Sequence, residues 1–156
     1  MLRLILMPIF AGLIATAGIT AVLWAINKSG WTNADMVRAI GGFFTKSYEN
    51  ALGIGLAIHF VNGIIIAAVY LHALSIMKLS NLGFEIFFGG LFGFGQGLIV
   101  GWCIVRFADV HPVEQFQQAS LQVAVAHTFA HVVYGMLIGA AFGTMRLLGM
   151  DVSPGI

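Results

Sequence analysis

Charge is what this sequence has least of. Its 156 residues include seven Lys or Arg and six Asp or Glu, a charged fraction of 8%, against about 25% in an ordinary soluble domain. Such a chain has no charged shell with which to face water. No run of Lys and Arg tracks a phosphate backbone, and a formal net charge of +1 speaks against nucleic acid as a partner. There is one cysteine, Cys103, so an intramolecular disulfide is excluded and an iron–sulfur cluster has no ligand set. In its apolar run, Cys103 reads as an inert buried thiol. A Gly-rich phosphate loop, a GxSxG elbow and an HExxH pair are all missing. With no catalytic motif, the chain reads as having no catalytic activity of its own.

What is present is apolar. Hydrophobic residues make up 60% of the chain, and the mean hydropathy is +0.97, values that belong to an integral membrane protein with the lipid bilayer as its solvent. Four apolar runs, at about 4–26, 51–77, 82–105 and 121–148, each reach the roughly 20 residues that a crossing needs. They fill residues 1–156 as a single transmembrane domain. The N-terminus resembles a secretory signal, with Arg3 before an apolar core. Its apolar run is longer than a signal core, so it is expected to stay as the first helix.

The connections differ in length. Between the first two runs, "NKSGWTNADMVRAIGGFFTKSYEN" has Thr32 or Asn33 as candidate caps for a short helix with Met36, Val37, Ile40 and Phe44 on one side. Such a helix would lie in the headgroup region, anchored by Trp31 and Tyr48. In "RFADVHPVEQFQQAS", Pro112 and Glu114 suit the first turn of a helix entering the fourth run, and His111 is a loop residue beside a weak surface metal motif. "MKLSNLG" is a tight turn. Arg3, Lys78 and Arg146 then face one side, and Lys28, Arg38, Lys46 and Arg106 the other, so neither side has the clear excess that sets orientation.

The chain repeats itself. "AIHFVNGIIIAAVY" aligns without gaps with "FAHVVYGMLIGAAF", pairing His59 with His131, Val61 with Val133, Gly63 with Gly135, Ile66 with Ile138 and Ala68 with Ala140. The first and third runs align likewise, pairing Gly12 with Gly90, Leu13 with Leu91, Val22 with Val100, Trp24 with Trp102 and Ile26 with Ile104. Halves of about 1–78 and 79–156, separated by an even number of crossings, give two parallel helical hairpins. The expected fold is therefore an all-α, four-transmembrane-helix bundle built as two repeated hairpins, with an interfacial helix after the first span. "GLIAT", "HFVNG", a Gly-rich third run and "AHVVYG" together resemble a group of uncharacterised small four-span bacterial inner-membrane proteins. That resemblance implies the four-helix architecture and the membrane, and carries no chemistry.

Glycines recur every four residues, as Gly89, Gly93, Gly97 and Gly101 in the third run and Gly135, Gly139 and Gly143 in the fourth. With Gly63 they are packing positions, because small residues at this spacing let helix backbones approach in lipid. The histidines carry the chemistry. His59 and His131 each share a helical face with the glycine four residues on, and His127 lies on the same face as His131. An ionisable side chain inside a span faces the bundle interior and marks a candidate cofactor or ion site. Haem b fits as one reading, with an axial imidazole from each of two helices, His59 with His131 or His127. A copper or zinc site formed by His59, His127 and His131 is the alternative. A third is a neutral imidazole donating to a carbonyl or hydroxyl on another helix, such as Thr16 or Thr20. His72, about 20 Å further along its helix than His59, falls near the opposite surface.

Thirteen Phe, three Trp and the glycine faces offer contact area and little chemistry. The expected role is a small non-catalytic transmembrane subunit packing against other subunits of a larger membrane complex, respiratory or photosynthetic, in electron transport. The alternatives are a bis-histidine b-type haem electron carrier and a small channel or carrier, the last weakened by spans almost free of charge.

Overall fold

The structure, a computed structural model, describes residues 2–150, with side-chain surroundings from residue 5 onward. The side chain of Arg3 lies outside that set. The described residues are all-helical, with no strand. α1 covers Leu2–Lys28, α2 Met36–Thr45, α3 Ala51–Ile76, α4 Leu82–Phe107 and α5 Leu121–Leu147. α1, α3, α4 and α5 are long and apolar enough to cross a membrane, and they coincide with the four apolar runs.

Local signals set the helix ends. Asn81 caps α4, its side-chain oxygen accepting from the backbone N–H of Gly83 at 2.8 Å. α2 begins two to three residues later than its expected caps: Asp35, not Thr32 or Asn33, accepts from the backbone N–H of Arg38 at 3.2 Å. Lys46 ends α2 in the left-handed region, φ 53°, returning its N–H to the carbonyl of Gly42. Met36 and Val37 are buried as expected, whereas Phe44 is exposed. The cause is how α2 seats. Gly41 and Gly55 bring the backbones of α2 and α3 into contact near Val37 and Ala51, which turns Phe44 outward.

Pro112 and Glu114 do not open a helix into α5. Residues Ala108–Val110 and Glu114–Phe116 form two 3₁₀ turns, and α5 starts only at Leu121. His111 replaces the missing helical bonds. It is buried, not on the surface, with Nε2 donating to the Ala39 carbonyl of α2 at 2.9 Å and Nδ1 accepting from the Val113 N–H at 3.0 Å.

Packing is uneven. α4 and α5 run antiparallel along a seam with almost no side chains. The backbone at Gly93 meets the His131 carbonyl, and a methyl group added at Gly97 would sit 2.6 Å from Thr128 Cα. Gly89, Gly101, Gly135 and Gly139 lie along the same seam, while Gly63 touches Thr16 of α1. α1 sits between α3 and α5 and contributes Ala11, Ala15, Ile19 and Leu23, every fourth residue, to the core. By contrast, α3 and α4 barely touch. The outer faces are as apolar as the interior, with Phe84, Phe87, Leu91, Leu98 and Trp102 of α4 all exposed.

Candidate functional site

The gap between α3 and α4 opens into a cavity of about 380 Å³, closed on one side by α2 and the connection before α5. Its walls are apolar: Met36, Ile40 and Phe43 from α2, Ile104 and Phe107 from α4, and Phe116 from the connection. Its polar groups come from the three long helices that face it and from the connections around α2 and before α5, which add Asn33, Asp35, His111, Gln115 and Gln118. α3 gives His59 and Asn62, α4 gives Gln96, and α5 gives His127 and His131. The three histidines expected to form a site thus line one cavity.

Their nitrogens are committed unequally. His127 Nδ1 lies 2.8 Å from the Val123 carbonyl, and His131 Nδ1 lies 2.8 Å from the His127 carbonyl. A carbonyl oxygen only accepts, so the network assigns the proton of each neutral ring to Nδ1 and leaves Nε2 with its lone pair. His127 is 2% exposed, and its Nε2 has no partner within the protein. His59 is different: its Nε2 is 3.1 Å from the Thr20 hydroxyl. That hydroxyl already donates to the Thr16 carbonyl at 2.6 Å, so His59 is the donor. This is the expected bond between an imidazole and a hydroxyl on another helix, with Thr20 in that role.

The arrangement bears on both cofactor readings. Among the described residues, no three His, Cys, Asp or Glu side chains come together closely enough to hold a metal ion. The imidazoles are spread around a cavity and do not converge on a point. For haem, His127 and His131 stand one turn apart on a single helix and cannot take opposite faces of one iron, while His59 has its Nε2 held by Thr20. The donors fit one axial bond and do not fit the bis-histidine pair.

Several further residues complete the site. Asn62 lies three residues after His59 inside "HFVNG", which places it on the same helical face; that spacing was a readable signal. Tyr70 donates to Gln96 Oε1 at 2.6 Å, bridging α3 and α4 below the cavity, and Tyr134 donates to the Gly63 carbonyl at 2.6 Å. Together with Thr16 and the site's own polar groups, Tyr134 lines a second hollow of about 30 Å³ beneath the first. Cys103 is not sealed in the core; it lines the main cavity and is half-buried. His72 is exposed near the far end of α3, and His111 forms part of the cavity rim.

What the site can do chemically is hold a small molecule. It offers apolar walls, side-chain amides and unprotonated imidazole nitrogens, the composition of a ligand pocket and not of a hydrolytic centre. Set against protein-family models, curated proteins and solved structures, the chain matches none.

Proposed function

We propose that this chain is a small, non-catalytic transmembrane subunit of the bacterial inner membrane that holds an amphipathic small molecule in its histidine-lined cavity, within a larger electron-transfer assembly. The observation that carries the reading is His127, which lines the cavity and whose buried Nε2 has no partner within the protein. A buried polar atom left unsatisfied costs about 1–3 kcal/mol, and a ligand group in the cavity would offset it. Insertion of the four long helices is supported by their apolar outer faces. Duplication of a hairpin is supported by matched contacts: Gly12 lies on Ile64 and Gly90 on Met136, positions paired by the internal repeat. Exposed aromatic and aliphatic side chains along α4 give neighbouring subunits, as well as lipid, a surface to pack on.

The test is extraction of the full chain, purified gently from its own membranes, followed by mass spectrometry of whatever it carries. A molecule present at about one per chain, and lost in an Ala119→Trp variant, is the expected result. Ala119 lines the cavity from the connection before α5, so the new ring fills the mouth without entering a helix interface. Equal contents in the two proteins, including none in both, would refute the reading.

Haem is the second reading, favoured by the free Nε2 atoms of His127 and His131. Anchoring of Nδ1 on a carbonyl is how ligating imidazoles are oriented. The absorption spectrum of the same preparation decides. A Soret band stoichiometric with the chain and lost in His131→Ala identifies the occupant as haem, and a colourless preparation rejects it.

A further inference from the structure

Resting on the ligand-binding reading above, we infer that the cavity selects a ring-borne hydroxyl group, the headgroup chemistry shared by membrane quinols and simple phenols. The first ground is the direction of the hydrogen bonds. His127 and His131 spend their ring protons on Val123 and His127 carbonyls, and His59 spends its own on Thr20. Each of these three imidazoles is thus left with an acceptor nitrogen. The group that satisfies His127 Nε2 must donate, which a hydroxyl does and a quinone carbonyl, an ether or an ester does not.

The second ground is the complementary polarity across the cavity. Gln96 Oε1 is occupied by the Tyr70 hydroxyl, so the free atoms of that amide are its N–H donors. A hydroxyl both donates and accepts. It can give its proton to the α5 imidazole and receive one from the α4 amide, pairing both walls through a single oxygen.

The third ground is what the walls exclude and admit. No Lys or Arg lines the cavity, so a phosphate or carboxylate headgroup would be desolvated without a counter-charge. Phe43, Phe107 and Phe116 present aromatic surfaces suited to a flat ring. A volume of about 380 Å³ lies near the lower end of small-molecule pockets, which run from roughly 300 Å³ upward, and suits one ring with a short chain.

The protein supplies its own reporter, because Cys103 is the sole cysteine and lines the cavity. The experiment measures the rate at which maleimide alkylates Cys103 in the full chain, in detergent and without oxygen. The probes are a fully ring-substituted, short-tailed benzoquinol, the dimethyl ether of that quinol, and 4-butylphenol. The quinol should slow alkylation, and the ether should need roughly tenfold or more higher concentration for the same protection. In His127→Leu, the preference for quinol over ether should vanish. Ala119→Trp, which leaves the helices untouched, should lose protection by every probe. Protection by 4-butylphenol equal to that by the quinol assigns the site to a lone ring hydroxyl. Protection by the quinol alone assigns it to a lipid-soluble quinol of the membrane. Equal protection by quinol and ether overturns the inference and leaves the ligand-binding reading standing. Absence of all protection, in a chain from which an occupant has been extracted, also overturns the inference alone. An empty extraction overturns the reading beneath it.

Discussion

His111 shows how much one imidazole can organise when both ring nitrogens are used. It ties the connection before α5 to the backbone of α2 and packs edge-on against Phe43 and Phe116, with ring centroids 4.3 and 5.0 Å away. Replacement by Ala leaves the half-buried Ala39 carbonyl and the buried Val113 N–H without this partner. His111→Ala should therefore lower stability by about 1–3 kcal/mol, read from a denaturant or thermal titration in detergent. Cys103 should also react faster as the cavity rim loosens; unchanged stability and reactivity would mean that water replaces the ring at no cost. In the sequence His111 looked like an ordinary loop residue, because its partners are 72 positions away and two positions away. Nothing in a window around it shows the first of these. His59, His127 and His131 were legible for the opposite reason. Their surroundings are so apolar that any imidazole stands out, and helical periodicity alone puts them on inward faces. The direction of their hydrogen bonds was not legible, since it depends on which carbonyl or hydroxyl each ring meets.

Among the elements, the four long helices could be read almost to their ends, because uninterrupted apolar runs of this length have few alternatives. The seam between α4 and α5 was also visible as glycine spaced by four. The same spacing separates the glycines that the seam uses from those it does not. Gly97 is pressed against Thr128, whereas Gly95, two residues earlier, has open space around the position of a side chain. Gly97→Leu should force the helices apart at a cost of about 1–3 kcal/mol. Gly95→Ala should raise stability by roughly 0.5–1 kcal/mol, since alanine loses less backbone freedom in a helix. Thermal midpoints in a common detergent check both, and shifts of the same sign for the two would contradict the seam. The short elements were less legible. Thr32, Asn33 and Asp35 are all good caps, and only the docking of α2 on α3 selects Asp35. Pro112 and Glu114 carry helix-start signals that lose to the bonds His111 makes across the connection.

Over the whole molecule, one ion pair fastens the end of the bundle away from the cavity. Arg146 of α5 donates from Nε to Glu85 Oε1 at 2.6 Å and from Nη2 to Oε2 at 3.1 Å, a fork that holds planar groups in register. Glu85 is 0% exposed, and Gly143 leaves the room its carboxylate occupies. The sequence showed both charges but not their meeting, 61 residues apart. Arg146→Gln strands a buried carboxylate, whereas Glu85→Gln leaves a half-buried guanidinium that can turn to solvent. The first should lower the melting temperature more than the second, and the double variant should lose less than the two together. Strictly additive losses would show that the pair is not coupled.

The place of α1 has a consequence in time. Of the long helices it is the first to be synthesised, yet one of the two it packs against is α5, the last. α4 and α5 are neighbours in sequence and can close their glycine seam as soon as both exist, whereas α1 has only half of its final surroundings until then. During synthesis, which proceeds from the N-terminus, the core-facing stripe from Ala11 to Leu23 must stay covered by something other than α5. Assembly of this bundle is complete only when its first helix meets its last.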